Sequence, residues 1–289
     1  MMNLTDYNEI RALLARHGFR FSKSLGQNFL TAAWVPERIA EEAGLDENTG
    51  VVEVGPGIGC LTAELARRAG KVAAIELDKA LLPVLRETLA DFDNVTVIPG
   101  DATRLDLRAL VEEKLPGLRP VVCANLPYNV TTPLLTALIE AGCFETITVM
   151  IQREVARRIC AGPGCADYGA FGLFVQWHCE TELLFDVPPG CFVPQPKVTS
   201  SVIRLTRRAA PPLPVKDEAL LMRVIRAAFN QRRKTLVNAL SAGLGLGKEE
   251  LETALRELGL DVRVRGEALG LDAFAALSDK ILTIKSSDF

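Results

Sequence analysis

Short apolar runs alternate with segments of helical periodicity through the first half of the chain. The runs cover residues 51–54, 72–76, 95–98, 121–124 and 146–151. Buried runs of this length, each followed by a helical segment, are typical of βαβ units that build a parallel sheet. The pattern therefore predicts a doubly wound α/β domain.

The pattern changes after the fifth run. Two further runs, 174–185 and 198–205, are separated only by the short segment 186–197. A connection of this kind suits an antiparallel pair at a sheet edge. The proline-rich segment 209–214 follows, and it can continue neither a strand nor a helix, because proline lacks a backbone donor and fixes φ. We interpret it as a linker between a domain of residues 1–208 and a domain of residues 209–289.

Only helical segments follow the linker. They cover residues 217–229, 232–242, 248–258 and 269–284. We therefore predict a small, all-helical C-terminal domain.

Composition restricts the class of protein. Nearly half of the 289 residues are apolar, which is enough for a sizeable core. The seven cysteines include no CxxC pair, as in reduced cytoplasmic proteins, and only His17 and His178 are available for a zinc site. The sequence shows neither a signal-peptide pattern nor a long uncharged stretch. We expect a cytoplasmic protein without a metal and without a membrane partner.

A glycine-rich turn follows the first predicted strand. Val51–Val54 leads into Gly55-Pro56-Gly57-Ile58-Gly59, and a helical pattern comes next. Glycines at this point let the backbone turn sharply and approach a ligand closely. The same pattern also occurs as a purely structural turn, so the turn alone does not identify a ligand.

Two acidic residues follow the next two strands. Glu76 ends the second strand, where a carboxylate can accept hydrogen bonds from both hydroxyls of a ribose. Asp101 ends the third, in Gly100-Asp101-Ala102, where it can accept a proton from an adenine amine or cap the next helix. Together with the glycine-rich turn, these residues predict an adenosine-containing ligand across the carboxyl ends of the strands.

The segment Asn125-Leu126-Pro127-Tyr128, here called the base clamp, ends the fourth predicted strand. Its amide oxygen and a backbone carbonyl, for which Leu126 is the candidate, can accept the two protons of an aromatic amine. Pro127 fixes φ and orients that carbonyl, and Tyr128 offers a face on which a base can stack. A nicotinamide enzyme has no evident use for such a group, whereas methylation of an adenine amine does. We therefore favour S-adenosylmethionine over a dinucleotide, and expect S-adenosylhomocysteine as the product.

The chain resembles the ribosomal RNA adenine dimethyltransferase family of the KsgA/RsmA type, and the resemblance covers nearly its whole length. The motifs that carry it are 24–30 (SLGQNFL), 53–59 (EVGPGIG), 76–78 (ELD), 100–102 (GDA), 125–128 (NLPY), 192–198 (FVPQPKV) and 229–236 (FNQRRKTL). The resemblance implies a Rossmann-like methyltransferase domain. It also implies dimethylation of two adjacent adenosines in a hairpin near the 3′ end of small-subunit (16S) rRNA, within the small ribosomal subunit or its precursor, in the course of ribosome biogenesis.

The resemblance also implies a role for individual residues. Asn28 and Leu30 would contact the cofactor, with Gln27 close by. The turn at Gly55 and Gly57 would lie under its methionine part. Glu76 would hold the ribose, and Asp101 with Ala102 the adenine. Asn125 would contact both cofactor and target base, and Phe192 would form the second wall of the base slot, opposite Tyr128.

Basic residues after the linker are the candidates for RNA binding. Despite the net charge of −3, they cluster without an intervening acid at Arg223, Arg226, Arg232, Arg233 and Lys234. Such residues can follow phosphates without reading a sequence, although any one cluster also fits a solvated helix face. Further groups occur at Arg153, Arg157 and Arg158, at Arg204, Arg207 and Arg208, and in the N-terminal arm at Arg11, Arg16, Arg20 and Lys23.

Other functions use the same features. An erythromycin-resistance-type enzyme acting on large-subunit rRNA, or an adenine-N6 DNA methyltransferase, would also need the base clamp. A non-catalytic RNA-binding assembly factor could retain the same fold. Segment 229–236 favours the small-subunit enzyme, and the presence of Glu76, Asp101, Asn125 and Tyr128 argues against lost catalysis. We expect a monomer.

Overall fold

A computed structural model describes residues 2–21 and 26–287. Ser24 and Leu25 of the predicted N-terminal motif, and Lys23 of the basic arm, lie outside the described residues. The chain divides into two compact units, which we call the first and the second unit. The first unit contains Met1–Ala156 and Glu182–Arg207, and the second contains Arg157–Thr181 and Arg208–Phe289.

A seven-stranded sheet forms the centre of the fold. In chain order its strands are β2 (Thr49–Val54), β3 (Lys71–Glu76), β4 (Val95–Pro99), β5 (Arg119–Asn125), β6 (Thr146–Gln152), β7 (Cys179–Val187) and β9 (Ser200–Arg207). They are arranged in the order β4-β3-β2-β5-β6-β9-β7. Strands β2 to β6 are mutually parallel, and β9 is antiparallel to β6. The predicted doubly wound sheet is therefore confirmed.

The order of the strands creates a crevice. From β2 the chain adds β3 and β4 on one side, and it then crosses to add β5 and β6 on the other. The loops after β2 and β5 therefore leave in opposite directions and open a gap at the carboxyl ends of these strands. All six residues of β2 are buried, as expected for a central strand covered on both faces.

Helices connect the strands of the first unit, and a small second sheet accompanies them. The helices are α1 (Tyr7–Arg16), α2 (Trp34–Glu42), α3 (Cys60–Ala66), α4 (Leu82–Thr88), α5 (Leu107–Lys114), α6 (Thr131–Ala141) and α7 (Arg153–Cys160). The small sheet pairs β1 (Phe29–Leu30) with β8 (Phe192–Val193) in antiparallel register. This pairing fixes the N-terminal segment beside the glycine-rich turn.

One predicted strand is wrong in its first half. Residues 174–178 belong to helix α8 (Ala170–His178), and β7 begins only at Cys179. Leu173, Val175 and Trp177 are all buried, and their spacing of two along the chain is also the spacing of a half-buried strand. Periodicity alone does not separate such a segment from a strand. The predicted position of the pair is nevertheless confirmed, because β7 lies at the sheet edge beside β9.

The second unit is mainly helical, as predicted. After α8 it contains α9 (Glu218–Asn230), α10 (Leu236–Leu244), α11 (Lys248–Glu257) and α12 (Leu271–Ser287). Helix α10 begins four residues later than the sequence predicts, because Thr235 caps it by accepting the Asn238 N–H at 3.4 Å. Arg232, Arg233 and Lys234 therefore lie in the turn before the helix.

The division into units differs from the predicted boundary at residue 208. Residues 157–181 belong to the second unit together with the C-terminal helices. Tyr168 and Trp177 are buried in one core with Leu221 and Phe274, and the Tyr168 hydroxyl donates to the Leu269 carbonyl at 2.8 Å. Apolar side chains from α8 complete that core, so a contiguous division could not describe it.

Candidate functional site

A cleft of about 280 Å³ opens at the carboxyl ends of β2, β3 and β5. Its walls come from residues 26–30, 53–61, 75–81, 100–103 and 125–134. These segments are the N-terminal arm, the glycine-rich turn and the loops after the next three parallel strands. The cleft therefore lies where the strand order predicts a ligand.

Most of the predicted site residues line this single cleft. They are Gln27, Asn28, Leu30, Gly55, Gly57, Glu76, Asp101, Ala102, Asn125, Leu126, Pro127 and Tyr128. Phe192 is the exception, since it is absent from the lining among the described residues. It is 5% exposed and lies opposite Leu30 in the β1–β8 pair.

The glycine-rich turn requires glycine for two reasons. Gly57 has φ of +61°, a conformation that other residues rarely adopt. A Cβ at this position would also lie 3.1 Å from the Phe29 ring. The absence of a side chain therefore lets the N-terminal arm close against the turn.

Glu76 connects the turn with the end of β3. Its carboxylate accepts the Gly57 N–H at 3.2 Å and the Asp78 N–H at 2.7 Å. Burial raises the pKa of Glu76 to about 7, although these hydrogen bonds act in the opposite direction. A carboxylate oxygen accepts more than one hydrogen bond, so both oxygens can still receive donors from a ligand.

The N-terminal arm is hydrogen-bonded to Asp78, whose own N–H donates to Glu76. The Gln27 amide donates to the Asp78 carboxylate at 2.7 Å, and the Asn28 amide donates to the Gly26 carbonyl at 2.9 Å. Gln27 therefore holds the arm to the loop that follows Glu76.

Glu53 is a site residue that the sequence reasoning did not assign. It is 1% exposed, lines the cleft, and its Oε2 has no hydrogen-bond partner among the described residues. Burial, with the charge of Glu76 adding to it, raises the pKa of Glu53 to about 8. An acid inside the apolar run Val51-Val52-Glu53-Val54 was the available signal, because burying an unpaired carboxyl is costly.

Because the N-cap of α5 is Asp106, Asp101 does not have the predicted capping role. Its Oδ1 accepts the Thr103 hydroxyl at 2.7 Å and the Thr103 N–H at 3.0 Å, which forms a local turn. These bonds hold the pKa of Asp101 below its usual range. Its Oδ2 lies 3.5 Å from Arg104 Nε, so the carboxylate is ionised at the edge of the cleft.

The base clamp is fixed at each of its first three residues. The Asn125 amide nitrogen donates to the Asn28 carbonyl at 3.4 Å, so the amide oxygen is the atom suited to accept a ligand proton. The Leu126 N–H donates to the Met150 carbonyl at 3.1 Å. The Pro127 carbonyl already accepts the Thr131 hydroxyl at 3.0 Å. The Leu126 carbonyl is therefore the better candidate for the second ligand proton.

Tyr128 completes the clamp from a half-buried position. Its hydroxyl lies 2.5 Å from the Ser200 hydroxyl at the start of β9. Burial raises the pKa of Tyr128, so the phenol stays protonated at neutral pH.

The basic residues of the second unit differ in their surroundings. Arg223 and Arg226 are exposed on α9 and three residues apart, so they share one face. Arg233 and Lys234 are exposed in the turn before α10. Arg232 also supports the unit itself, because it donates to the Ala166 carbonyl at 3.0 Å and lies 3.3 Å from Glu267.

The other basic groups named from the sequence are partly neutralised. Arg204 lies 2.7 Å from Glu182, and Arg208 lies 3.1 Å from Glu180. Ion pairs at these distances reduce the charge available to a phosphate.

Two further findings concern metals and membranes. Within residues 2–21 and 26–287, no three His, Cys, Asp or Glu side chains form a group that could hold a metal ion. None of the helices in the described part of the chain is long and apolar enough to cross a membrane.

Solved structures resemble the whole fold. A dimethyladenosine transferase from Plasmodium falciparum superposes with a TM-score of 0.74 at 24% identity, covering 90% of this chain and 98% of that one. The 23S rRNA methyltransferase ErmE superposes with a TM-score of 0.66 at 28% identity, covering 87% of this chain and 98% of its own. The predicted Rossmann-like methyltransferase fold with a helical C-terminal part is thereby confirmed.

Sequence comparisons are more specific. A family model described as "Ribosomal RNA adenine dimethylase" matches residues 18–271. The "Ribosomal RNA small subunit methyltransferase A" of Geobacillus thermodenitrificans is 47% identical over 279 residues, 95% of each chain. The protein of the same description from Streptococcus gordonii is 47% identical over 285 residues, 97% of this chain and 98% of its own. The chain therefore belongs to the ribosomal RNA adenine dimethylase family.

Proposed function

We propose that this protein transfers methyl groups from S-adenosylmethionine to the N6 amino groups of two adjacent adenosines in the 3′-terminal hairpin of small-subunit rRNA. The observation that carries the proposal is the base clamp at the end of β5, in the same cleft as Glu76. The substrate would be rRNA within the small ribosomal subunit or its precursor, which makes the enzyme a factor of subunit biogenesis in the cytoplasm. It would act as a monomer.

The cleft offers a group for each part of the cofactor. Glu76 would accept hydrogen bonds from the ribose hydroxyls, and Asp101 would accept one from the adenine amine. Leu77, which lines the cleft and is 55% exposed, would cover a face of the adenine. Glu53 would face the positive charge of the methionine part, which gives its unpartnered oxygen a partner.

The base clamp would activate a weak nucleophile. The lone pair of an adenine amine is conjugated with the ring, so the nitrogen must become tetrahedral before it can attack a methyl group. Asn125 Oδ1 would accept one amine proton and the Leu126 carbonyl the other, which aims the lone pair at the sulfonium methyl. Catalysis would then consist of positioning and electrostatic preorganisation. No metal is needed, because the thioether leaves as a neutral group.

The target base would be held by stacking. A base stacked inside an RNA duplex cannot reach this cleft. The target base would therefore be flipped out of the duplex or come from an RNA loop. Stacking on Tyr128 would contribute about 1–3 kcal/mol. We retain Phe192 as the second wall of the slot, which requires a ring that is 5% exposed to become accessible when the base enters.

The proposal is tested by labelling small ribosomal subunits that lack the modification with a radioactive methyl donor. We expect dimethyladenosine at two adjacent positions of the 3′-terminal hairpin, mapped by nuclease digestion and mass spectrometry. Methylation of large-subunit RNA instead would favour the erythromycin-resistance-type activity. Binding of the particle without methylation would favour an assembly factor.

Separate substitutions should distinguish the clamp from the cofactor site. Asn125→Ala should lower kcat by about a hundredfold or more, because a positioned proton acceptor is lost, with little change in cofactor Kd. Glu76→Ala should mainly raise the cofactor Kd, since the ribose loses its acceptor. Calorimetric binding and single-turnover kinetics measure the two effects. Near wild-type turnover of Asn125→Ala would show that the clamp is wrongly assigned.

Cofactor affinity should depend on pH. Without ligand, the pKa values of Glu53 and Glu76 are raised to about 8 and about 7, so both are largely protonated at pH 6. A cationic cofactor favours the ionised carboxylates, and its binding must then expel protons. The Kd for S-adenosylmethionine should therefore fall by about threefold to tenfold between pH 6 and pH 8. Glu53→Gln should flatten the dependence, whereas a constant Kd in the wild type would contradict it.

The exposed arginines of α9 should contribute to RNA affinity. Reversing the charge in Arg223→Glu/Arg226→Glu should weaken binding to the small subunit by at least tenfold and reduce its salt dependence, because two phosphate contacts are lost. Cofactor affinity should not change. The control is Lys71→Glu/Arg86→Glu, which alters two exposed basic residues of the first unit and the net charge equally. Equal losses in both variants would point to net charge rather than to α9.

A further inference from the structure

A buried hydroxyl outside the cleft holds the aromatic residue of the base clamp. Ser200 is 0% exposed, and its Oγ lies 2.5 Å from the Tyr128 hydroxyl. The two residues are 72 positions apart in the chain. Ser200 is not among the described residues that line the cleft. It therefore reaches the cleft only through Tyr128.

The position of the serine is fixed by the sheet. Ser200 begins β9 and pairs with Gln152 at the end of β6. The carbonyl of the preceding residue, Thr199, accepts the Arg153 N–H at 3.0 Å. Backbone hydrogen bonds thus hold the Cα of Ser200, and burial limits the rotamers of its side chain, so the hydroxyl can serve as an anchor.

The tyrosine needs such an anchor. Tyr128 lies in the loop after β5, and its ring has two rotatable side-chain bonds. A hydrogen bond at the far end of the ring fixes χ1 and therefore the position of the ring. The hydroxyl oxygen lies on the χ2 axis, so the bond acts on the plane of the aromatic face through the preference of a phenolic O–H for the ring plane. A base that stacks on this face needs that plane in one orientation, because a small angular error displaces the reacting nitrogen.

We infer that Ser200 is a positioning residue, which holds the Tyr128 ring in the orientation that receives the target adenine. The inference rests on the proposed function. The start of β9 would then contribute to base recognition through Tyr128, and Ser200 itself would not need to contact the substrate.

The second methyl transfer should depend on this anchor more than the first. Unmodified adenine offers two amine protons, one for Asn125 Oδ1 and one for the Leu126 carbonyl. Monomethyladenine offers only one proton, so one of these hydrogen bonds is missing. Stacking on Tyr128 then supplies a larger share of the positioning. A loosened ring should therefore leave more of the product monomethylated.

The chain offers a matched control for the test. Ser201 is also 0% exposed, and its hydroxyl lies 2.5 Å from the Asp186 carboxylate rather than from the clamp. Ser200→Ala and Ser201→Ala therefore each remove one buried hydroxyl from the same strand. A purely structural effect should be of similar size in both.

We expect Ser200→Ala to lower kcat/KM for the small subunit by about threefold to tenfold, as for one lost hydrogen bond. The fraction of monomethyladenosine at the end of the reaction should rise, and the Kd for S-adenosylmethionine should stay within about twofold of wild type. Ser201→Ala should change none of the three. Product ratios that are equal in the two variants would overturn the inference.

The Tyr128→Phe variant tests the contact from the other side and does not depend on the folding of Ser200→Ala. A double-mutant cycle then tests whether the two changes break one interaction. Tyr128→Phe keeps the ring but removes the same hydrogen bond, so it alone should raise the monomethyl fraction. In the double variant the effects should not multiply, because both changes break one interaction. Multiplicative effects, or Tyr128→Phe with wild-type products, would overturn the inference.

The outcome separates this inference from the proposed function. If the wild type dimethylates the small subunit while Ser200→Ala matches Ser201→Ala, only the role of Ser200 fails. If the wild type methylates adenine in neither ribosomal subunit, the proposed function fails and the inference fails with it.

Discussion

The hydrogen bonds of Glu76 hold together the parts of the site. One carboxylate oxygen accepts the N–H of Gly57 in the glycine-rich turn, and the other accepts the N–H of Asp78. Asp78 in turn accepts the amide of Gln27 from the N-terminal arm. Three segments that are distant in the chain are thereby connected, the turn and the end of β3 by Glu76 directly and the arm through Asp78. Without the Glu76 carboxylate, the hydrogen bonds that connect the turn, the end of β3 and, through Asp78, the arm would be lost.

This arrangement has an energetic consequence. Glu76 and Glu53 lie in one cleft, are almost fully buried, and both have raised pKa values. Two carboxyl groups at the carboxyl ends of adjacent strands β2 and β3 oppose each other's ionisation. A ligand that carries positive charge and hydroxyl donors stabilises both ionised carboxylates, because it offsets their burial and their mutual repulsion. The cleft therefore favours a cationic ligand rich in hydroxyl groups, which agrees with an adenosyl sulfonium.

Much of the fold and of the cleft could be predicted from the sequence, because both are encoded locally. The first four apolar runs of the parallel sheet are each followed by residues that line the cleft, so Gly55, Glu76 and Asp101 could be found from their positions at strand ends. Residues whose roles depend on distant contacts could not. The helix of residues 170–178 resembles a buried strand until its packing against the C-terminal helices is known. Glu53 resembles an ordinary member of the glycine motif until its burial is known.

The motif of the base clamp can be read from the sequence, but the contacts that position its side chains cannot. Leu126 and Pro127 are held by β6 and by the start of α6, and Asn125 is held by the Asn28 carbonyl of the N-terminal arm. Tyr128 is positioned by Ser200, which the chain supplies only after 72 residues and through a strand that runs antiparallel to the others. The reversed strand brings its first residue, rather than its last, to the edge of the sheet where the cleft lies. Had β9 been parallel, Arg207 rather than Ser200 would occupy that end. The direction of one strand thus decides which side chain can reach the clamp.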